Sequence, residues 1–198
     1  MQQKERLVVA SNNQHKLREI AEIFTDFEVV SQKQAGLDID VEETGKTFVE
    51  NAQLKARAAC EALHCAVLAD DSGLCVDALG GAPGVYSARY CGYHGSDAEN
   101  RAVLLRNMQG KTDRKAYFIS AMVISFPDGI ELVAEGKTHG YILEKEEGDG
   151  GFGYDPLFFS EDLQKSFGVA TAEEKNGVSH RFRALQAMRT LWENAKRK

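Results

Sequence analysis

The sequence predicts an α/β fold: an elongated, mixed β-sheet flanked by helices, with two lobes around a central substrate cleft. Three observations carry that expectation. Short apolar runs alternate with helical periodicity from Leu7 to Ala69, two long β-rich runs then meet at Pro127-Asp128-Gly129, and helical periodicity returns after Ser179. A length of 198 residues with 43% hydrophobic content suits a single domain, residues 1–198, built of two lobes.

Each element has a local cause. Leu7-Val8-Val9-Ala10 reads as a buried strand, and Ser11-Asn12-Asn13 supplies capping residues for a helix whose Leu17, Ile20, Ala21 and Phe24 recur on one face. A second strand is expected around Glu28 to Ser31. A polar stretch through Glu42-Glu43-Thr44-Gly45 leads into a helix from Thr47 to Leu63, with Phe48, Ala52, Ala59 and Leu63 near one face. Ala66-Val67-Leu68-Ala69 reads as a buried strand that ends on Asp70 and Asp71. The glycine-rich connection from Gly80 to Gly95 is long enough to be functional rather than a plain link. Ser96-Asp97-Ala98-Glu99 has capping-box spacing ahead of a helix carrying Val103, Leu104 and Leu105. Ala116 to Phe126 and Ile130 to Leu143 should form a long antiparallel hairpin. Gly148 to Asp155 is a second glycine-rich loop, and the last helix begins near Ser179 with Leu185, Met188 and Trp192 inward.

Composition narrows the function. A formal net charge of −6 gives no broad grip on polynucleotide phosphate, so no nucleic-acid polymer is expected as a partner and any phosphate site must be local. No apolar run approaches the ~20 residues that span a bilayer, so no membrane partner is expected. The start, Met1-Gln2-Gln3-Lys4-Glu5-Arg6, lacks a signal-peptide apolar region, and the reading is a cytoplasmic protein. The four cysteines, Cys60, Cys65, Cys75 and Cys91, lack Cys-x-x-Cys spacing and read as reduced thiols.

The chemistry concentrates at four places. Adjacent Asp70 and Asp71 repel unless a cation, a proton or a donor separates them, so the pair is either a turn with a helix cap or a metal site. With Glu42 and Glu43 they offer hard oxygen ligands suited to Mg²⁺, the expected cofactor. Ser11-Asn12-Asn13-Gln14-His15-Lys16, between a strand and a helix, is either a plain cap or a small anion site. Gly150-Gly151-Phe152-Gly153-Tyr154-Asp155-Pro156 either tucks Phe152 inward or presents it to stack on a base. Ser179-His180-Arg181 puts cations at a helix amino end, where the dipole disfavours them; it is a solvated first turn or it meets an anionic or carbonyl partner, which Lys175 could join.

Together these segments resemble the inosine triphosphatase family. The blocks are Val8 to Asn13 with Lys16, Glu42 to Gly45, Phe48 to Ala52 with Lys55-Ala56-Arg57, Ala69 to Leu74, Gly80 to Tyr90, Gly150 to Pro156 and Ser179-His180-Arg181, in the family's order. The resemblance implies a two-lobed α/β fold around a cleft and a homodimer. It also implies Mg²⁺-dependent hydrolysis of the nucleoside triphosphates dITP, ITP and XTP to monophosphate and pyrophosphate. By the same carry-over Asp71 is the base that activates water, while Glu42 and Asp71 hold Mg²⁺ with Glu43 and Asp70 in support. Ser11, Asn12, Asn13, Gln14, His15, Lys16 and Lys55 hold the triphosphate, the two lysines also assisting catalysis, and Ser72 touches substrate. Phe152 stacks on the purine, and Gly153, Tyr154, Asp155, Lys175, His180 and Arg181 complete the base and sugar pocket. Two alternatives remain: a related pyrophosphatase for another modified nucleotide, and a nucleotide-binding regulator without turnover.

Overall fold

Strand propensity and helix caps set the first elements of the computed structural model, which describes residues 4–93 and 96–196. Met1 to Gln3 and Gly95, both part of the readings above, lie outside the described residues. The strand β1 (Glu5–Val9) leads to the helix α1 (Gln14–Ile23), and β2 (Phe27–Ser31) returns parallel to β1 with Val8 opposite Val30. Asn13 caps α1 by accepting from the N–H groups of His15 and Lys16. The helix α2 (Phe48–Leu63) opens on a capping box formed by Thr47 and Glu50 and closes where His64 turns left-handed. Then β3 (Val67–Val76) runs parallel to β1, Val8 opposite Val67.

The strand β3 is longer than its apolar start implies. It does not stop at the two aspartates but continues through Asp70-Asp71-Ser72-Gly73, because Leu74, Cys75 and Val76 are buried beyond them. A run of polar residues in a strand reads as its end when its partners are unknown.

The connection after β3 folds into 3-10 turns at Asp77–Leu79 and Gly84–Arg89. The helix α3 (Asp97–Asn107) follows with the expected capping box of Ser96 and Glu99. The strands β4 (Lys115–Ser125) and β5 (Glu131–Ile142) are joined by a tight turn that the Phe126 N–H closes onto the Ile130 carbonyl. Two short strands, β6 (Phe158–Ser160) and β7 (Lys165–Ser166), then a short helix α4 (Ala172–Val178) precede α5 (His180–Lys196). These three short elements escaped the sequence reading, since strands of two or three residues carry no period and the seven residues of α4 make barely two turns.

The sheet is mixed and seven-stranded, in the order β2-β1-β3-β4-β5-β6-β7, as the α/β expectation required. The chain divides into two units, one of residues up to Asp71 with Ser120–Gly136 and Phe182 onward, the other of Ser72–Ile119 and Lys137–Arg181. The first unit packs Leu7, Leu17, Ile20, Phe24, Leu68, Met188 and Trp192 into one core, with Phe27 edge-on to Trp192 at 5.4 Å between ring centroids. Ala21, expected on the buried face of α1, is exposed. The second unit has its own core of Leu74, Leu104, Phe118, Tyr154, Phe158 and Phe167. No helix among the described residues is long and apolar enough to cross a membrane. All four cysteines are free thiols.

Candidate active site

Alternation along β3 sends its two aspartates to different partners. Asp70, 2% exposed, meets Lys16 from the first turn of α1 at 2.9 Å. Asp71 meets α2 instead: Oδ2 accepts from Asn51 Nδ2 at 3.1 Å, and Oδ1 lies 3.4 Å from Lys55 Nζ. Asn51 and Lys55 are one turn apart on α2 and so share a face. Lys55 Nζ also donates to Glu43 at 2.7 Å, which brings the acidic loop to the same ammonium.

Three carboxylates thus share two lysines, and the electrostatics follow. Burial pushes the Asp71 carboxyl above its ordinary range; Lys55 pulls it back and Glu43 pushes it further up. Burial works against the Lys55 charge, yet Asp71, Asp70 and Glu43 outweigh it and hold the ammonium above its ordinary value. The result is a strongly charged lysine beside a carboxylate made more basic by burial.

A pocket of about 570 Å³ opens within this first unit, lined by Ser11, Asn12, Asn13, Lys16, Glu43, Lys55 and Asp70. Gln14, His15 and Glu42 are exposed and outside that lining, and Asp71, also outside it, pairs with Lys55 of the lining. The lining also includes Gln32, Asp38 and Asp40, which the sequence reading missed because they sit in a polar stretch without period. Asn51 lies within the Phe48 to Ala52 block but carries no role in the sequence reading; its neighbour Glu50 is the capping-box acid, accepting from the N–H groups of Lys46 and Thr47. At the α1 amino end, Asn13 Oδ1 occupies two backbone donors and Ser11 Oγ a third.

The second unit carries the remaining expected residues. Phe152 is 44% exposed, so the inward reading fails and its ring is presented outward. Its N–H donates to Asp155 Oδ2 at 2.9 Å, and that oxygen also takes Lys175 Nζ at 2.5 Å. The same ammonium lies 4.2 Å from the Phe152 ring centroid, a cation–π contact. Gly151 is required here, because a Cβ would meet Asp155 Oδ2 at 2.1 Å and its φ is +76°. Tyr154 is core, donating its hydroxyl to the Ser87 carbonyl at 2.7 Å.

Ser179-His180-Arg181 is no solvated turn: the three are 5%, 5% and 2% exposed. His180 stacks on Phe118 with centroids 5.0 Å apart, and Arg181 donates to the Ser72 hydroxyl at 3.2 Å.

A family model, that of the Ham1 family, matches residues 7–191. The chain belongs to the Ham1 family. It is 49% identical, over 93% of its length and 95% of the relative's, to a Clostridium perfringens protein named dITP/XTP pyrophosphatase. It is 44% identical to a Staphylococcus aureus protein of the same name, covering 96% and 97% of the two chains. The solved structure of the Staphylococcus aureus Ham1 protein superposes with a TM-score of 0.90 at 43% identity, covering 96% of this chain and 100% of that one. The family resemblance read from the sequence blocks is thereby borne out, together with the mixed α/β sheet.

Whether this Ham1 site suits Mg²⁺ turns on its donors. Among the described residues no three His, Cys, Asp or Glu form a group able to hold an ion alone. Mg²⁺ needs only one or two protein carboxylates when substrate phosphates complete its shell. Asp71 and Glu43, which meet at Lys55 Nζ, offer hard oxygens of that number and kind.

Proposed function

We propose that this chain hydrolyses the non-standard purine nucleoside triphosphates dITP, ITP and XTP to the monophosphate and pyrophosphate, removing them from the nucleotide pool. The observation that carries the reading is Asp71, buried and made basic yet held by Lys55 and Asn51, in a chain 49% identical to a dITP/XTP pyrophosphatase. A non-catalytic binding module has no need of such a carboxylate.

The roles follow from chemistry. Asp71 accepts a proton from water as the water oxygen bonds to the α-phosphorus, and the bond from that phosphorus to the α–β bridging oxygen breaks, releasing pyrophosphate. Lys16 and Lys55 offset the charge that builds on the phosphoryl oxygens, and Ser11, Asn12 and Asn13 line their pocket. When bound, Mg²⁺ would shield the triphosphate and acidify a coordinated water. Asp71 and Glu43, with Asp70 in support, are the residues we assign to hold it. Glu42, exposed and outside the pocket lining, takes a lesser part.

Phe152 offers a ring face for the purine, and donors beside it favour a 6-keto base over adenine, whose amino group presents a donor there. Residues of the second unit, Ser72, Gly153, Asp155, Lys175, His180 and Arg181, serve the base and sugar, Asp155 and Lys175 chiefly by holding Phe152. Homodimerisation and a cytoplasmic location belong to the same reading, and light scattering tests the first.

The deciding experiment incubates the protein with Mg²⁺ and ITP, XTP, dITP, GTP, ATP or dUTP and identifies the released anion. Pyrophosphate from the first three is expected. Orthophosphate, preference for the pyrimidine, or no turnover overturns the reading.

A further inference from the structure

Both backbone polar groups of Gly153, the residue after the exposed aromatic, are taken by side chains of one helix. Its N–H donates to Asp97 Oδ2 at 2.6 Å, and its carbonyl accepts from Arg101 Nη1 at 2.9 Å. Asp97 and Arg101 stand four residues apart in α3 and therefore on one face. Arg101 is itself held, since its Nε donates to Glu146 Oε1 at 2.9 Å, and its side chain is only 15% exposed. Gly153 has φ +61°, and nothing lies within 4 Å of where a Cβ would stand. The residue is shaped for its backbone bonds.

These contacts complete a frame around Phe152. On its amino side, its own N–H is anchored on Asp155; on its carboxyl side, Gly153 is gripped by α3; and Tyr154 is anchored on Ser87. The ring itself is 44% exposed. A ring so exposed is no core anchor, yet the loop that carries it has its backbone pinned by charged side chains on both flanks. What the pinning supplies is a ring face held in place before a ligand arrives, which lowers the ordering cost of binding.

We infer that Asp97 and Arg101 are positioning residues for base recognition, holding the Phe152 loop in its stacking geometry. This rests on the proposed role of Phe152 toward the purine. Both side chains act on the backbone of the Phe152 loop, so the effect belongs to binding of the base and not to the hydrolytic step.

The test compares Asp97→Ala, Arg101→Ala and Asp97→Asn with the parent protein. Both alanine variants should raise KM for ITP on the order of tenfold with kcat within twofold, the loss expected for charge-assisted hydrogen bonds that serve binding alone. Binding of IMP, measured by calorimetry, should weaken by the same factor, while inhibition by inorganic tripolyphosphate, which has no base, stays unchanged. Asp97→Asn keeps an acceptor for the Gly153 N–H and should restore KM and IMP binding. Unchanged IMP binding in both alanine variants overturns the inference, as does weakening of tripolyphosphate in parallel, which marks general disruption. A parent protein that binds IMP without hydrolysing ITP sinks the proposed function and leaves IMP binding to decide the role of Asp97 and Arg101; one that binds no IMP sinks both.

Discussion

Asn51 ties Asp71 to the acidic loop: its Nδ2 donates to Asp71 Oδ2 at 3.1 Å while its Oδ1 accepts from the Gly45 N–H at 2.8 Å. Asn51 is fully buried, so neither bond is exchanged with water. The approach is close enough that a Cβ on Gly45 would fall 2.6 Å from Asn51 Oδ1. Replacing Asn51 with Leu keeps the branched shape in a larger side chain but takes the hydrogen-bond partner from both Asp71 and the Gly45 N–H. Urea unfolding should show a loss of about 1–3 kcal/mol, and kcat should fall further than KM changes. An unchanged unfolding midpoint would contradict this account of the loop.

Asp71→Asn removes the base but keeps a group of the same shape beside Asn51 and Lys55. Turnover of ITP should fall by about 10²–10⁴-fold, while calorimetry still detects IMP. Since burial disfavours the ionised carboxyl at this position, the thermal midpoint at neutral pH should not drop. Near-parental kcat would remove Asp71 from the role of base.

Phe152→Ala should separate binding from folding. The exposed ring contributes little to stability, so the melting temperature should hold, while KM for ITP rises by a factor that reflects about 1–3 kcal/mol of lost stacking. A fall in melting temperature with unchanged KM would make Phe152 a packing residue.

Lys175→Met breaks a buried ion pair on one side only. Asp155 would lose its ion-pair partner in an interior where its side chain is 3% exposed, and stability should fall by about 3–5 kcal/mol. Chemical denaturation reads this directly. A variant as stable as the parent would show that Lys175 does not hold the loop.

Glu131 sets an acid limb. Its carboxylate accepts from Arg57 at 2.7 and 2.9 Å, from Ser125 at 2.8 Å and from Gln53 at 3.0 Å, joining α2 to the β4–β5 hairpin. The Arg57 hydrogen bonds, helped by Ser125 and Gln53 and opposed by burial, hold it below its ordinary value of 4.5. A depressed carboxylate adds stability that is fully present above the ordinary value and is lost as pH falls through the depressed one. Glu131→Gln should therefore be less stable than the parent at pH 7, and the difference should shrink below pH ~4.5. A constant gap across that window would refute the linkage.

Much of this protein was legible before any coordinates. The strands, the capped helices, the hairpin at Pro127-Asp128-Gly129 and the inward Leu185, Met188 and Trp192 follow from period, caps and turn residues, which act over a few neighbours. The blocks from Val8 to Arg181 were enough to place the chain in its family. What the tertiary structure alone decided is which partner each charge meets. Adjacent Asp70 and Asp71 look alike in sequence, yet one faces Lys16 and the other Asn51 and Lys55, because a strand alternates its faces and different helices cover them. Likewise nothing near Asp97 or Arg101 in the chain points to Gly153. Hydrogen bonds that span some fifty residues depend on how distant elements pack, and no local pattern records that.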